Sequence, residues 1–262
     1  MRLVSWNLDR GRAAGAWQAV AREQGADLVL LQEATQPPSD GVWHWAVVRP
    51  RRWGSAVVAL AGQLQRVAVP EYRGWVSGAR WSRGATASVE AAYVFSIHSP
   101  TPHREAPRRS YVRESRTIVD RITRAVPRDA PLVIGGDFNF ASLGERVAGE
   151  RRATAADEQI ALEEFRSQGF LVAWRDLHPA APLPQTLRWT GNRKTPFHCD
   201  GYLVRGLAAS RLTCEVIVNE QVDAVSDHRP VTLAYAARLS ANAATPHPSH
   251  QTAGGAIRSG RR

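Results

Sequence analysis

The sequence predicts one α/β domain with β-sheets packed between helices. Short apolar segments alternate with amphipathic ones, strand-like segments outnumber helical ones, and no long linker interrupts them. A length of 262 residues allows one large domain or two small ones, and such a chain buries a core without staples. Hydrophobic residues make up 44% and charged residues 22%, which excludes a largely disordered chain. No apolar run approaches the roughly 18 residues of a membrane span, so no membrane anchor is expected. Met1-Arg2 runs directly into a strand-like segment, leaving no room for a signal peptide. The two cysteines, Cys199 and Cys214, make no disulfide framework. A cytoplasmic monomer without an obligate protein partner is the expectation.

Residues 2–8 alternate as a strand, and 13–24 read as a helix with Trp17, Val20 and Ala21 on one face. Residues 27–32 form a buried strand. Segments 41–49, 55–61, 64–69, 75–82 and 85–90 read as successive strands separated by Gly, Pro and Arg. A stronger strand spans 91–98, a helix 109–125, and a strand 132–136 that ends in Asp137-Phe138-Asn139. Residues 151–168 read as loop then helix. Strands at 187–190, 201–205, 212–219 and 230–237 complete the domain, expected over 1–238. Residues 239–262 are rich in Ala, Pro, Ser, Gly and His, carry no acid and lack periodicity, so they read as a disordered basic tail.

The polar residues at strand ends are the informative feature. Asn7 closes the first strand, Glu33 the second, His98 the strand at 91–98, and Asp137 and Asn139 the strand at 132–136. Asp200 opens the strand at 201–205, and Asp227-His228 precedes the last. Strand ends are where a rigid scaffold presents several side chains to one cleft. Taken singly, Asn7 reads as a turn residue, Glu33 as a helix cap and Asp137-Phe138-Asn139 as a turn. Taken together their chemistry is coherent. Hard oxygen ligands such as Glu33, Asp137, Asn139 and Asp227 suit Mg²⁺ or Mn²⁺ rather than zinc, and a histidine beside a carboxylate suits proton transfer. This is equipment for phosphoester hydrolysis. His44, His103, His178 and His198 read as structural or solvated, and Cys199 as a small buried thiol. Of nine tryptophans, Trp53 and Trp189 are the first candidates to line a cleft.

Ser5-Trp6-Asn7, Leu31-Gln32-Glu33, Ser96-Ile97-His98-Ser99, Gly136-Asp137-Phe138-Asn139 and Ser226-Asp227-His228-Arg229-Pro230 occur in that order. This set resembles the endonuclease/exonuclease/phosphatase superfamily, the metal-dependent phosphoesterases that include pancreatic-type deoxyribonuclease. The resemblance implies a four-layer α/β sandwich, two packed, mainly antiparallel sheets flanked by helices, with the active site at one end. It implies a divalent ion, Mg²⁺ or Mn²⁺, held by Glu33 with Asn7 and Asp227. Asp137 and Asn139 would position the attacking water and the phosphate, and Asp200 would orient His228. Either His228 is the general base, or it is an imidazolium stabilising phosphate charge while Asp137 deprotonates the water. His98 resembles the second histidine of pancreatic-type deoxyribonucleases, which a glutamate from an earlier strand holds. The matching stretch here, 53–61, has no carboxylate. His98 is therefore open to two readings, leaving-group acid or hydrogen-bond donor to a phosphate oxygen. The abasic-site nucleases place a tyrosine at this point, so this chain looks less like them.

Substrate is read from charge. The chain carries 34 basic against 24 acidic side chains, a net +10, and Lys194 is its only lysine. Guanidinium forks grip phosphate bidentately. Residues 101–128 hold eight arginines against three acids. On a helix Arg109, Arg113, Arg116 and Arg124 share one face, opposite Tyr111, Ile118, Val119 and Ile122. This face is the expected contact for a nucleic-acid backbone. The reading is a divalent-metal-dependent phosphodiesterase, a nuclease on DNA or RNA. The alternative is a phosphatase or phosphodiesterase on a lipid headgroup or small metabolite.

Overall fold

In a computed structural model, residues 1–38, 40–84, 91–100, 111–140, 152–188 and 197–236 are described. The expected strand at 85–90, Arg109, His103, Trp189 and the tail 239–262 lie outside these residues. In chain order the elements are β1 (Arg2–Asn7), α1 (Trp17–Glu23), β2 (Leu28–Ala34), β3 (Val42–Val47), β4 (Gly54–Ala59), β5 (Gln63–Val67), β6 (Val76–Ser82), β7 (Ala91–His98), α2 (Tyr111–Ala125), β8 (Leu132–Asp137), α3 (Arg152–Ser167), β9 (Leu171–Val172), α4 (Ala173–Leu177), β10 (Asp200–Arg205), β11 (Leu212–Val216), α5 (Glu220–Val225) and β12 (Val231–Tyr235).

They form two six-stranded sheets, ordered β11-β12-β1-β2-β4-β3 and β5-β6-β7-β8-β10-β9. Within each, one central pair is parallel, β1 with β2 and β7 with β8, and the other pairs are antiparallel. The period-2 alternation of side chains divides each strand between two apolar layers. Leu3, Leu28, Leu30, Val94, Val133 and Tyr202 meet between the sheets. Val4, Trp6, Val29 and Leu31 face outward to Trp17, Val20 and Ala21 of α1. Phe95, Ile97, Leu132 and Ile134 face outward to Ile118, Val119 and Ile122 of α2 and Phe165 of α3. Helices thus cover both outer faces, giving the four layers of an α/β sandwich. Central strands buried on both faces explain the near-continuous apolar runs in the sequence.

Several boundaries differ from the sequence reading. The first helix starts at Trp17, not at 13, because residues 9–16 form a series of turns. Asp9, Arg10 and Gly11 take positive φ (45°, 54° and 86°), and the stretch closes i→i+3 turns, Ala14 N to Gly11 O at 3.1 Å and Ala16 N to Ala13 O at 3.0 Å, before the i→i+4 pattern begins. The expected strand at 187–190 reduces, among described residues, to bridges from Leu187 to Phe197 and His228. Helices α4 and α5, of five and six residues, are too short to show periodicity in sequence. No helix among the described residues is long and apolar enough to cross a membrane.

Candidate active site

Register places the polar strand ends side by side. His98 on β7 pairs with Asp137 on β8, which pairs with Asp200 on β10. On the other sheet Asn7 at the end of β1 pairs with Gln32 on β2. Gln32 joins the two rows: its amide donates to Ser96 Oγ at 2.9 Å, and that hydroxyl donates to Leu31 O at 2.8 Å. The sheets are thereby pinned at the end where the site lies.

Glu33 reaches the site through a backbone irregularity. Between Leu31 and Ala34 the β2–β4 register shifts by one residue, and Glu33 takes φ +52°. A bulge of this kind re-aims a side chain. A left-handed non-glycine residue costs about 1–3 kcal/mol unless its surroundings hold it. Here the turn at residues 9–16 holds it, because Arg10 N donates to Glu33 Oε2 at 2.9 Å.

Asp137 is the hub. Its Oδ2 accepts from Asn7 Nδ2 at 3.0 Å and its Oδ1 accepts from the Asn139 amide at 2.8 Å. Asn139 sits at φ +53°, a conformation asparagine tolerates well, and donates through Nδ2 to Ser99 O at 2.7 Å. His228 Nδ1 lies 2.9 Å from Asp200 Oδ2, and its Nε2 lies 3.9 Å from both Asp137 Oδ2 and Asp227 Oδ1. The His228 backbone is fixed by Ser226 Oγ, which accepts from His228 N at 3.0 Å and donates to Asn7 O at 2.9 Å.

These groups line one cleft of about 420 Å³, bordered by Glu33, His98, Asp137, Asn139, Asp227 and His228. Asn7 and Asp200 support it from behind. A second groove, of about 490 Å³, lies elsewhere, between β3 and β5, and contains none of these residues.

Burial shapes the charges. It opposes a cation at His228, yet Asp200, Asp137 and Asp227 outweigh it and raise the pKa to about 10. For His98 burial dominates and lowers the pKa to about 4. A neutral imidazole follows at pH 7, so its approaches to Asp137 at 3.6 Å and Glu33 at 3.8 Å are not ion pairs. Nδ1 of His98 is buried with no hydrogen-bond partner among the described residues, as the lack of a carboxylate on β4 predicts. Burial also raises the pKa values of Glu33, Asp137 and Asp227.

Those desolvated carboxylates are what a divalent ion would offset. Ligand atoms of Asp137, Asp200 and His228 lie within 4.8 Å of one another, a spacing that could hold a metal. The hydrogen bond to Asp200, however, occupies His228 Nδ1, and an imidazolium offers no lone pair. Glu33 and Asp227, which line the cleft, offer carboxylate oxygens of the kind a hard cation takes, and Asn7 behind them offers an amide oxygen that also accepts from Asp9 N at 3.1 Å.

Other cleft residues were not legible in the sequence. Arg10, Arg51, Tyr111 and Phe197 line the cleft. Arg51 packs over Trp53 at 4.8 Å and Trp75 at 5.1 Å, and both indoles pack on His98, at 5.0 and 5.3 Å. Trp53 is thus a buried wall behind the cleft rather than part of its lining. Cys199 lines the cleft, and burial drives its thiol pKa far up, so it is inert as a nucleophile. None of Arg113, Arg116 and Arg124 lines the cleft. Arg116 pairs with Glu164 at 2.5 Å and Arg124 with Asp120 at 3.0 Å.

A model of the Endonuclease/Exonuclease/phosphatase family matches residues 4–228. Among solved structures, an AP endonuclease from Archaeoglobus fulgidus is similar at 15% identity, with TM-score 0.67, covering 90% of this chain and 99% of that one. The APE2 catalytic domain of Xenopus laevis is similar at 18% identity and TM-score 0.68, covering 90% and 91%. A 3'-5' exonuclease from Neisseria meningitidis is similar at 19% identity and TM-score 0.61, covering 90% and 99%. At these identities the likeness establishes the fold. A search of curated proteins returns no match.

Proposed function

From the premise that this chain belongs to the endonuclease/exonuclease/phosphatase family, we propose that it is a divalent-metal-dependent nuclease, hydrolysing phosphodiester bonds of DNA or RNA. The observation that carries this reading is the composition of the cleft. Glu33, Asp137 and Asp227 line it together with the cationic side chains Arg10 and Arg51. Carboxylates alone would repel a polyanion; Arg51 and Arg10, whose Nε lies 3.9 Å from Glu33 Oε2, offset that charge and offer guanidinium groups to flanking phosphates.

Glu33, Asn7 and Asp227 would hold the ion, Mg²⁺ or Mn²⁺, which when bound polarises a phosphoryl oxygen and neutralises charge on the leaving oxygen. Asp137 is the general base. Burial raises its pKa toward the working range, and its two fixed hydrogen bonds hold it in place. His228, protonated and oriented by Asp200, stabilises negative charge on the phosphate; a group with a pKa of about 10 is already protonated at pH 7 and cannot take the proton. Asn139 positions the phosphate and water. His98, neutral at pH 7, serves as a hydrogen-bond donor to a phosphate oxygen rather than as leaving-group acid. The test is a substrate panel in Mg²⁺ and in Mn²⁺: plasmid DNA, single-stranded DNA, RNA, inositol phosphates, sphingomyelin and a bis-aryl phosphodiester. Cleavage of DNA or RNA is the expected result. Turnover confined to the lipid or inositol phosphates would replace it with the small-substrate reading.

A further inference from the structure

Residues 41–70 contain four arginines, Arg49, Arg51, Arg52 and Arg66, and no acid. They build β3, β4 and β5, and β3 and β5 are each an edge strand, one in either sheet. Between those edges lies the groove of about 490 Å³, inside the roughly 300–1,000 Å³ range of ligand sites. Its lining includes Trp43, His44, Arg66 and Arg73, and no carboxylate. Arg66 and Arg73 are exposed. Glu71, the acid nearest Arg73 in sequence, faces Arg121 instead, at 3.9 Å.

The groove offers few directional partners. The Ser77 hydroxyl is committed to His44 O at 2.8 Å, a contact that also ties β6 to β3. Trp43, by contrast, keeps 39% of its surface exposed. Exposed arginines with no carboxylate partner among the described residues, beside an exposed indole, are the equipment for holding phosphates and stacking bases without reading sequence. The groove is also next to the cleft. Arg51 lines the cleft and packs on Trp75, two residues beyond Arg73. The chain between them folds back tightly, with Trp75 N donating to Tyr72 O at 2.9 Å and a bridge between Arg73 and Val76. Trp75 thus touches Arg51 and His98 of the cleft and is flanked in the chain by Arg73 and Val76 of the groove.

We propose that this groove is the path of a single-stranded nucleic-acid segment leaving the cleft, its phosphates held by Arg73 and Arg66 and a base stacked on Trp43. The inference rests on the nuclease reading and adds where the strand goes. It also replaces helix α2 as the cationic track, because Arg116 and Arg124 spend their charge on Glu164 and Asp120.

The experiment measures affinity for phosphorothioate oligothymidylates of about 4, 8, 12 and 16 nucleotides in Mg²⁺, against salt, with bis-aryl phosphodiester turnover as the control for folding. Wild type should gain affinity with length. Arg66→Gln/Arg73→Gln should lose that gain and lower the log–log salt slope by about 0.7 for each contact removed. Trp43→Ala should weaken the longer oligonucleotides about fivefold or more. Small-ester turnover should hold in both variants. Photocrosslinking of a bromouracil oligonucleotide should mark the peptide containing Trp43. Wild-type affinity and slope retained in the variants, or crosslinks confined to the cleft, would overturn the groove while leaving the nuclease reading intact. Small-ester turnover with no oligonucleotide binding by wild type would overturn both.

Discussion

His228 is held from behind by Asp200, Nδ1 to Oδ2 at 2.9 Å, while its Nε2 faces Asp137 and Asp227 across 3.9 Å. The pair divides the imidazole: one nitrogen is spent on the hydrogen bond to Asp200, and the other faces the two carboxylates of the cleft. Both residues are buried, so the hydrogen bond is shielded from water; Asp200 is fixed by β10, and His228, on the connection before β12, by its bridge to Leu187 and by Ser226 Oγ.

If the pair acts as one unit, His228→Ala and Asp200→Asn should each lower kcat/KM by roughly 10²- to 10⁴-fold. The double variant should lose little more than the worse single one. Steady-state kinetics of the four proteins on a bis-aryl phosphodiester decides this. Multiplicative losses would show two independent residues.

Protonation separates the two histidines in opposite directions. Long-range ¹H–¹⁵N NMR of the imidazole nitrogens should show His228 charged through neutrality and titrating near 10, and His98 neutral down to about 4. The stability consequences have opposite sign. His98, lowered from 6.5, contributes stability above pH 6.5 that is lost as pH falls through about 4. His228, raised from 6.5, contributes stability below pH 6.5 that is lost as pH rises through about 10. Urea unfolding midpoints across that range should fall at both ends, and His98→Phe should reduce the acid-side fall, the remainder belonging to His198, which burial also lowers to about 4. A titration of His228 near 6.5 would return it to the role of general base.

Chelation should abolish hydrolysis, and Mg²⁺ or Mn²⁺ should restore it. Glu33→Gln should lose more than about a hundredfold in activity and should weaken Mn²⁺ binding measured by electron paramagnetic resonance. Its thermal unfolding should stay close to wild type. Full activity in excess chelator would remove the metal from the reaction.

Gly136 precedes the hub residue Asp137 at φ +147°, and a Cβ there would sit 2.0 Å from Ile97 O. Both the dihedral and the contact reject a side chain. Gly136→Ala should destabilise the fold by at least about 2 kcal/mol and displace Asp137 from His98 across the β7–β8 pair. Chemical denaturation checks the first, and activity retained per folded molecule would contradict the second.

The sequence alone determined the strands that carry the site and the residues at their ends. Apolar runs bounded by Asn7, Glu33, His98, Asp137 and Asp227-His228 are local patterns, set by side-chain type and spacing, and they survive in the three-dimensional structure. Order along the chain also gave the family. Which polar groups meet was decided only by tertiary structure. The register of β7, β8 and β10 sets His98, Asp137 and Asp200 in one row. A one-residue shift opposite β4 turns Glu33 toward the cleft. The protonation of His98 and His228 follows from how burial balances against carboxylates contributed by distant segments. The arginines make the same point. Composition drew attention to Arg113, Arg116 and Arg124 because they are dense in sequence, but folding brings Glu164 to Arg116 and puts Arg51 and Arg10 in the lining of the cleft, Arg10 beside Glu33. Charge density is a property of the chain; charge compensation depends on which segments the fold makes neighbours.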